Sequence, residues 1–232
     1  MSADESLLDN AVWASLNGAH AHLAERHGDA ARYPVDVAPF LGANHQAGSQ
    51  VWSDIAALAG PGKEVLVSPG LPQPAEAWET TLDIAGVQLV DDHLAPKVDP
   101  EAIRLTHADV PEMIELVQRT QPGPFLPRTI LLGNYVGFRH EGALVAMAGE
   151  RLHPPGWTEI SAVCTDPAFR GKGLATRLVL TVAAGIRARG EVPFLHTGAA
   201  NTNAIRLYET LGFKLRRHVR FTAVQVPVTQ PA

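Results

Sequence analysis

Between a predicted strand and a predicted helix, the sequence reads Asp166-Pro-Ala-Phe-Arg170-Gly171-Lys172-Gly173-Leu174-Ala175-Thr176. Two glycines at the start of a helix let the backbone come close to a ligand. The first N–H groups of a helix have no acceptor within it, and together with the helix dipole they favour an anion. Arg170 and Lys172 add positive charge at the same point. The segment therefore predicts a pyrophosphate site.

Two well-known phosphate loops fit this segment poorly. A P-loop needs a glycine five residues before its Gly-Lys pair and a Ser or Thr after it, but position 166 is Asp and position 173 is Gly. A dinucleotide-binding fingerprint needs a third glycine where Thr176 stands. Its acidic residue for the ribose could be Glu191, which lies 20 residues after Gly171. That fingerprint also opens a first βαβ unit, whereas this loop follows predicted antiparallel strands. An acyl-coenzyme A pyrophosphate site is the third alternative.

The elements around this loop alternate between strand and helix. Strands are predicted at 103–106, 135–140, 143–151, 158–165, 194–197 and 214–226, and helices at 109–118, 128–132, about 15 residues after Pro167, and 204–211. The order β-α-α-β-β-β-α-β-α-β is typical of a mixed sheet with helices packed on it.

The first 100 residues give weaker signals. Helices are predicted at 5–27, 49–59 and 75–82, strands at 64–67 and 87–90, an irregular segment at 28–48 and a linker at 91–100. We therefore expect an N-terminal α/β domain of unknown role over residues 1–98 and a second domain over residues 99–232.

Composition excludes several classes of protein. The chain has 232 residues, of which 46% are apolar and 19% charged, as in ordinary globular proteins and unlike disordered ones. It has no apolar run long enough for a membrane helix, and its acidic first residues are unlike a signal peptide. One cysteine, Cys164, cannot form an internal disulfide, so a cytoplasmic location is expected.

Charge is distributed unevenly along the chain. Residues 1–100 contain 4 basic and 14 acidic side chains, whereas residues 166–232 contain 10 basic and 3 acidic ones. A basic last part predicts an anionic partner, either nucleic acid or a phosphorylated cofactor, unless it is simply a solvated face.

Two motifs suggest a family. Arg170-Gly-Lys-Gly173-Leu-Ala175 resembles the R/Q-x-x-G-x-G/A motif of the GNAT N-acetyltransferase superfamily, and Asn201-Thr-Asn203-Ala204-Ile-Arg-Leu-Tyr208-Glu-Thr-Leu-Gly212-Phe213 resembles its N-x-x-A-x-x-L-Y-x-x-x-G-F segment. The resemblance covers roughly residues 101–222. Residues 144–151 and 159–165 look closest to the glycine N-acyltransferase-like branch. The expected fold is therefore a GNAT fold of the α/β (α+β) class, with a mixed, mostly antiparallel sheet flanked by helices.

The resemblance implies that acetyl-coenzyme A is the cosubstrate. Strand backbone groups would pair with the pantetheine arm, the helix N–H groups would hold the pyrophosphate, and asparagine side chains would bond the cofactor. The residues implied in cofactor binding are Val163, Cys164, Thr165, Arg170, Gly171, Lys172, Gly173, Leu174, Ala175, Thr176, Asn201, Asn203 and Tyr208.

The resemblance also implies direct transfer of the acetyl group to a small primary amine or amino acid. Tyr208 would protonate the leaving thiolate, since transfer from a thioester needs such an acid. The amine must lose a proton, and Glu150 and Glu159 on neighbouring strands are the candidate bases. Each could instead be a solvent-facing strand carboxylate.

Other residues and other functions stay open. Cys164 on an apolar strand favours a buried thiol, His196 could line the acceptor site, and no metal site is expected. The alternative to an enzyme is a non-catalytic acyl-coenzyme A-binding regulatory module. Neither nucleic acid nor membrane is an expected partner, and a homodimer is left open.

Overall fold

The computed structural model describes residues 3–74 and 76–228, and within them eleven strands pair edge to edge in one mixed sheet. The strands are β1 (Glu25–His27), β2 (Ala30–Arg32), β3 (Phe40–Ala43), β4 (Glu64–Val67), β5 (Glu79–Asp91), β6 (Ile103–Leu105), β7 (Tyr135–His140), β8 (Ala143–Glu150), β9 (Trp157–Thr165), β10 (Val192–Gly198) and β11 (Phe213–Gln225). The α-helices are α1 (Ala11–Leu16), α2 (Val51–Ala59), α3 (Val110–Thr120), α4 (Leu174–Ala188) and α5 (Thr202–Leu211).

The strands lie in the order β1-β2-β3-β4-β11-β5-β10-β9-β8-β7-β6. Neighbours are antiparallel except in the pairs β3–β4 and β9–β10, which are parallel. This confirms the expected mixed, mostly antiparallel sheet with helices packed on it. None of the described helices is both long and apolar enough to cross a bilayer.

Strand β5 joins the first part of the chain to the last. It pairs antiparallel with β10 on one side and with β11 on the other, so a strand from residues 79–91 separates the last two strands of the chain. The division into domains 1–98 and 99–232 stays a prediction, and its outer limits fall outside the described residues. The sheet itself is continuous across residue 98.

The two faces of the sheet are covered by different elements. Leu89, Ile160 and Leu195 lie on the face that packs against α4 and α5. Their neighbours along the strands point to the other face, where α3 and the first 40 residues form the cover. Alternation of side chains along a strand explains why each strand contributes to both cores.

The parallel pairing of β9 and β10 is short. It runs from Trp157 opposite Val192 to Ile160 opposite Leu195, after which the two strands separate. Beyond this point β9 pairs only with β8, through a bulge at Ala162, whose φ is +53°. A bulge bends its strand, and a positive φ at a residue with a side chain is strained, which is common near functional sites.

The first 48 residues differ from the prediction. The helix predicted over 5–27 is wrong, because only α1 and short 3₁₀ turns form there, and β1 follows at Glu25. Gly28 has a φ of +50° and lies in the two-residue turn of the β1–β2 hairpin, where His27 pairs with Ala30. The predicted irregular segment at 28–48 contains β2 and β3.

The helix predicted over 75–82 is also wrong. Ala75, where it would begin, lies outside the described residues, and β5 starts at Glu79. The first half of β5 is mostly exposed and polar, while residues 86–90 are buried. A buried second half explains why only 87–90 were predicted as strand.

We expect Leu89→Ala to lower the free energy of unfolding by about 2–5 kcal/mol, because it leaves a cavity in a fully buried site of this shared strand. Chemical denaturation measures the change. Ile84→Ala on the same strand is the control, since Ile84 is 47% exposed and its truncation should cost no more than about 0.5 kcal/mol. Equal losses in the two variants would contradict this role of β5.

Candidate functional site

A cleft of about 640 Å³ opens where β9 and β10 separate. Its walls come from the end of β9, the loop before α4, the first turns of α4 and α5, and the end of α3. The lining residues are Thr120, Gln121, Pro122, Val163, Cys164, Thr165, Phe169, Arg170, Gly171, Gly173, Leu174, Ala175, Thr176, Asn201, Asn203, Ala204, Leu207 and Tyr208.

The loop before α4 presents backbone donors to this cleft. The first hydrogen bond of α4 runs from the Arg177 N–H to the Gly173 carbonyl at 3.1 Å, so the N–H groups of residues 174–176 precede the helical ladder. Gly171 and Gly173 have φ values of +76° and +72°, and a Cβ at either position would meet no atom within 4 Å. Both glycines thus shape the loop and leave open space beside it, as an anion site requires.

Side-chain hydrogen bonds hold the start of the loop. The Asp166 side chain accepts a hydrogen bond from the Ala168 N–H at 3.0 Å and one from Arg119 Nε on α3 at 3.0 Å. The Arg170 Nε lies 3.4 Å from the Thr165 carbonyl, and Arg170 itself is exposed on the cleft wall. These contacts tie the start of the loop to α3 and to the end of β9.

The edge of β9 offers further polar groups. Since β10 has separated from it, the backbone of residues 161–165 has no strand partner on the cleft side. Among the described residues, the buried Thr165 Oγ1 also has no hydrogen-bond partner. An extended arm carrying amides fits such an edge, because it can pair with it like a strand.

Most residues predicted to contact the cofactor meet in this cleft. Lys172 is the exception: it lies outside the cleft lining, and its Nζ lies 4.7 Å from the centre of the Phe169 ring. The sequence analysis missed residues 120–122 at the end of α3, as well as Phe169, Ala204 and Leu207. Phe169 stands one residue before the first motif, and Ala204 and Leu207 stand inside the second, whereas residues 120–122 belong to neither motif.

Tyr208 lies at the inner end of α5 and lines the cleft. Its ring is buried and packs edge-on against Phe213, with the ring centres 5.9 Å apart. Burial raises the pKa of the phenol to about 12. Tyr208 is therefore neutral near pH 7 and holds a proton that it can donate.

Cys164 is buried against α3, on the face of the sheet opposite α4. Burial raises the pKa of the thiol to about 11, so little thiolate exists near pH 7. The interpretation of a thiol without catalytic function fits these surroundings.

Glu159 lies outside the cleft lining, fully buried in β9. Arg151 donates to both of its oxygens at 2.7 and 2.8 Å, and His196 Nδ1 lies 2.7 Å from Oε1. Burial would raise the pKa of this carboxyl, but the charge and hydrogen bonds of Arg151 and the hydrogen bond of His196 outweigh it and lower the pKa to about 2. The carboxylate is therefore firmly ionised.

Glu150 is also buried and lies outside the cleft lining. Its oxygens accept hydrogen bonds from Arg189 Nη2 at 3.0 Å and from the N–H and side chain of Asn134 at 3.2 Å. The alternative of a solvent-facing strand carboxylate is wrong for both glutamates. Glu150 ties the end of α4 to the loop before β7.

The basic residues of the last part mostly face the acidic first part. Six of the ten basic side chains in residues 166–232 form ion pairs with acids among the first 100 residues: Arg177–Asp99, Arg187–Asp91, Lys214–Asp92, Arg216–Asp9, Arg217–Asp9 and Arg220–Asp83. Arg216, Arg217 and Arg220, for which the sequence leaves open a solvated surface or a position facing cofactor phosphates, lie outside the cleft lining and pair with Asp9 and Asp83. In the described ranges, no three His, Cys, Asp or Glu side chains are grouped as a metal site.

Comparison with known proteins identifies the relatives of this chain. A family model described as FR47-like protein matches residues 135–222. A crystal structure of a GNAT-family protein from Novosphingobium aromaticivorans superposes with a TM-score of 0.85 and is 40% identical in sequence, covering 94% of this chain and 97% of that one.

Two curated relatives match over shorter lengths. Mycothiol acetyltransferase of Thermobispora bispora is 40% identical over 116 residues, which cover 46% of this chain and 38% of the relative. N-alpha-acetyltransferase RimI of Mycobacterium tuberculosis is 38% identical over 84 residues, which cover 35% of this chain and 52% of the relative. The matches therefore span about half or less of the length of these curated relatives.

The buried ion pair predicts how stability depends on pH. The pKa of Glu159 is depressed in the folded state, so its contribution is present above an unfolded value of 4.5 and is lost as pH falls towards about 2. We expect the difference in unfolding free energy between wild type and Glu159→Gln to shrink by ~3 kcal/mol over that range. Denaturant unfolding at a series of pH values measures it, with the exposed Glu209→Gln as a control that should show no such trend. If the difference in unfolding free energy stays constant down to pH 2, the pKa of Glu159 is not depressed in the folded state.

Proposed function

Because the chain belongs to the GNAT family of N-acetyltransferases, we propose that it moves the acetyl group of acetyl-coenzyme A directly to a primary amine of a small molecule or amino acid. The observation that carries this proposal is the cleft between β9 and β10. It combines the free backbone edge of β9, the free N–H groups that begin α4, and the Tyr208 phenol.

In this proposal the chain holds the cosubstrate mainly through its backbone. The N–H groups of residues 171–176 and the Arg170 side chain hold the pyrophosphate, with Lys172 adding charge at longer range. The backbone of residues 163–165 pairs with the pantetheine arm, and the unpartnered Thr165 Oγ1 supports this. Asn201 and Asn203 line the opposite wall, although Asn201 Oδ1 already caps α5 through the Ala204 N–H at 3.2 Å.

Tyr208 supplies the acid in the proposed reaction. As the amine nitrogen bonds to the acetyl carbon, the bond from that carbon to sulfur breaks, and the phenol gives its proton to the leaving thiolate. A phenol with a pKa of about 12 keeps its proton until the thiolate leaves. No covalent acyl-enzyme is needed.

Of the two candidate bases, we favour a role for Glu159. It stands one residue before the last β9–β10 pair, at the inner end of the gap, whereas Glu150 holds Arg189 and Asn134. Because Arg151 occupies both oxygens of Glu159, the carboxylate acts on the amine's proton through a neighbouring group and not by direct contact.

The identity of the acceptor is a separate proposal. The names of the two curated relatives point to different acceptors, mycothiol and an alpha-amino group. The glycine N-acyltransferase-like branch stays a proposal for the subfamily, resting on residues 144–151 and 159–165. Since the sole cysteine is buried and unpaired, we place the reaction in the reducing cytoplasm.

Calorimetry with acetyl-coenzyme A, followed by thiol release over a panel of primary amines, tests the proposed function. The panel contains short alkyl amines, amino acids and their amides. Binding with amine-dependent thiol release supports an N-acetyltransferase, while binding without release over a wide panel supports the non-catalytic regulatory module. Folded protein that does not bind acetyl-coenzyme A would overturn the proposal.

Gly173→Glu should weaken acetyl-coenzyme A binding about 100-fold or more, which corresponds to ~2.7 kcal/mol. It places a carboxylate beside the proposed pyrophosphate and a side chain at a φ of +72°. Gly190→Glu is the matched control, because Gly190 has a φ of +79°, open space around it, and lies beyond the far end of α4. If both variants bind acetyl-coenzyme A similarly in calorimetry, the loop before α4 is not the pyrophosphate site.

Tyr208→Phe should lower kcat by about 10²–10⁴ while leaving the Kd for acetyl-coenzyme A unchanged, because the ring still packs on Phe213 and only the proton donor is lost. Tyr135→Phe is the control, since its buried hydroxyl has no partner in the described residues and lies outside the cleft. Full activity in Tyr208→Phe would remove the phenol from the reaction.

A further inference from the structure

A second, smaller cavity of about 80 Å³ lies on the face of the sheet opposite α4. Its apolar walls include Leu8, Phe40 and Val67 from the first part of the chain and Phe221 from β11. A single water molecule needs only about 15 Å³, so the cavity has room for a short alkyl group.

One side of this cavity is polar. His196 on β10, Gln88 on β5 and Arg151 line it. Glu159 accepts from His196 Nδ1 at 2.7 Å, and because a carboxylate can only accept, the hydrogen of the neutral imidazole is on Nδ1. The lone pair is then on Nε2.

The amide of Gln88 faces that lone pair. Its Oε1 accepts from Arg216 Nη1 at 2.8 Å, which leaves the Nε2 hydrogens to bond the Leu8 carbonyl and His196 Nε2, both at 3.0 Å. The nitrogen of His196 that can take a proton is thus held by a neutral amide only.

His196 also stands where the two strands separate. Leu195 makes the last parallel pair with Ile160, so His196 is the first residue of β10 beside the gap, while it still pairs with Gln88 on β5. An arm that pairs with residues 163–165 and continues inward along β9 ends at this level. The small cavity and the cleft share no lining residue, and the gap beside His196 is where the sheet between them is open.

The other charged side chains of the cavity are already paired. Arg151 is bound to Glu159, Arg217 to Asp9, and Arg220 to Asp83. Among the lining residues, all of which the structure describes, His196 alone combines a titratable nitrogen with a neutral partner.

We propose that this cavity takes the acceptor, a primary amine with a compact apolar substituent, and that His196 Nε2 accepts the proton which the amine nitrogen loses. The inference rests on the proposed function. The amine displaces the Gln88 hydrogen bond, its nitrogen bonds to the acetyl carbon, and its proton passes to His196 while the thiolate takes one from Tyr208. Glu159 is a positioning residue that fixes the imidazole tautomer and stabilises the imidazolium.

Labelling with S-bromoacetyl-coenzyme A tests the position of His196 without knowledge of the acceptor. A bond forms from Nε2 to the methylene carbon, the carbon–bromine bond breaks and bromide leaves. We expect peptide mass spectrometry to find the adduct on His196 and excess coenzyme A to suppress it. His196→Asn should abolish the label, whereas the matched control His218→Asn, exposed on β11, should retain it.

Glu159→Gln tests the positioning role. We expect labelling of His196 to slow by about tenfold or more with an unchanged Kd for coenzyme A, because a neutral amide holds the Nδ1–H tautomer less firmly than a carboxylate. An unchanged labelling rate would overturn the positioning role of Glu159.

Kinetics test the proton transfer with the panel amine that wild type uses fastest. His196→Asn should lose about 10²–10⁴ in kcat with unchanged affinity for acetyl-coenzyme A, and Val67→Phe, which fills the cavity, should raise KM for the amine at least tenfold. If no panel amine reacts, the proposed function fails, and the proton transfer to His196 fails with it whichever residue is labelled.

The possible failures are distinguishable. If the protein binds coenzyme A but the label is found on Cys164, on another residue or nowhere, the role of His196 is overturned and the proposed function stands. Absence of coenzyme A binding overturns both. Wild-type kcat in His196→Asn overturns the proton transfer even where His196 is labelled.

Discussion

The functional geometry depends on where the hydrogen bonding between β9 and β10 ends. Four parallel pairs hold the strands together up to Ile160 and Leu195, and beyond them each strand keeps its outer partner, β8 or β5. This leaves one edge of β9 unpaired inside the protein, where backbone groups must find a partner. The loop before α4, Tyr208 and His196 are all arranged around that gap.

The uneven distribution of charge along the chain has a structural cause within the protein. The basic last part predicted an anionic partner, but most of its side chains pair with acids of the first part, across the strand β5 that both share. Exposed pairs of this kind add little stability individually. Arg170 on the cleft wall takes no part in these pairs.

Sequence analysis succeeded where local rules determine structure. The strand Tyr135–His140 was predicted to the residue, and the two motifs located most of the cleft. It failed where tertiary pairing decides, as in β5, whose exposed half has no hydrophobic alternation, and in the β1–β2 hairpin around Gly28. The burial of Glu159 was also beyond its reach, because Arg151 and His196, which stabilise its charge, come from two other segments of the chain.

The position of β5 has a consequence for how the chain folds during synthesis. It is made about 100 residues before β10 and further still before β11, the two strands that cover its edges. Until they leave the ribosome, both edges of β5 present free backbone groups, which is the arrangement that invites aggregation. Closing the sheet also requires contacts between residues far apart in sequence, which slows folding. The central strand of the sheet is therefore made early, but its pairing with both neighbours is completed late.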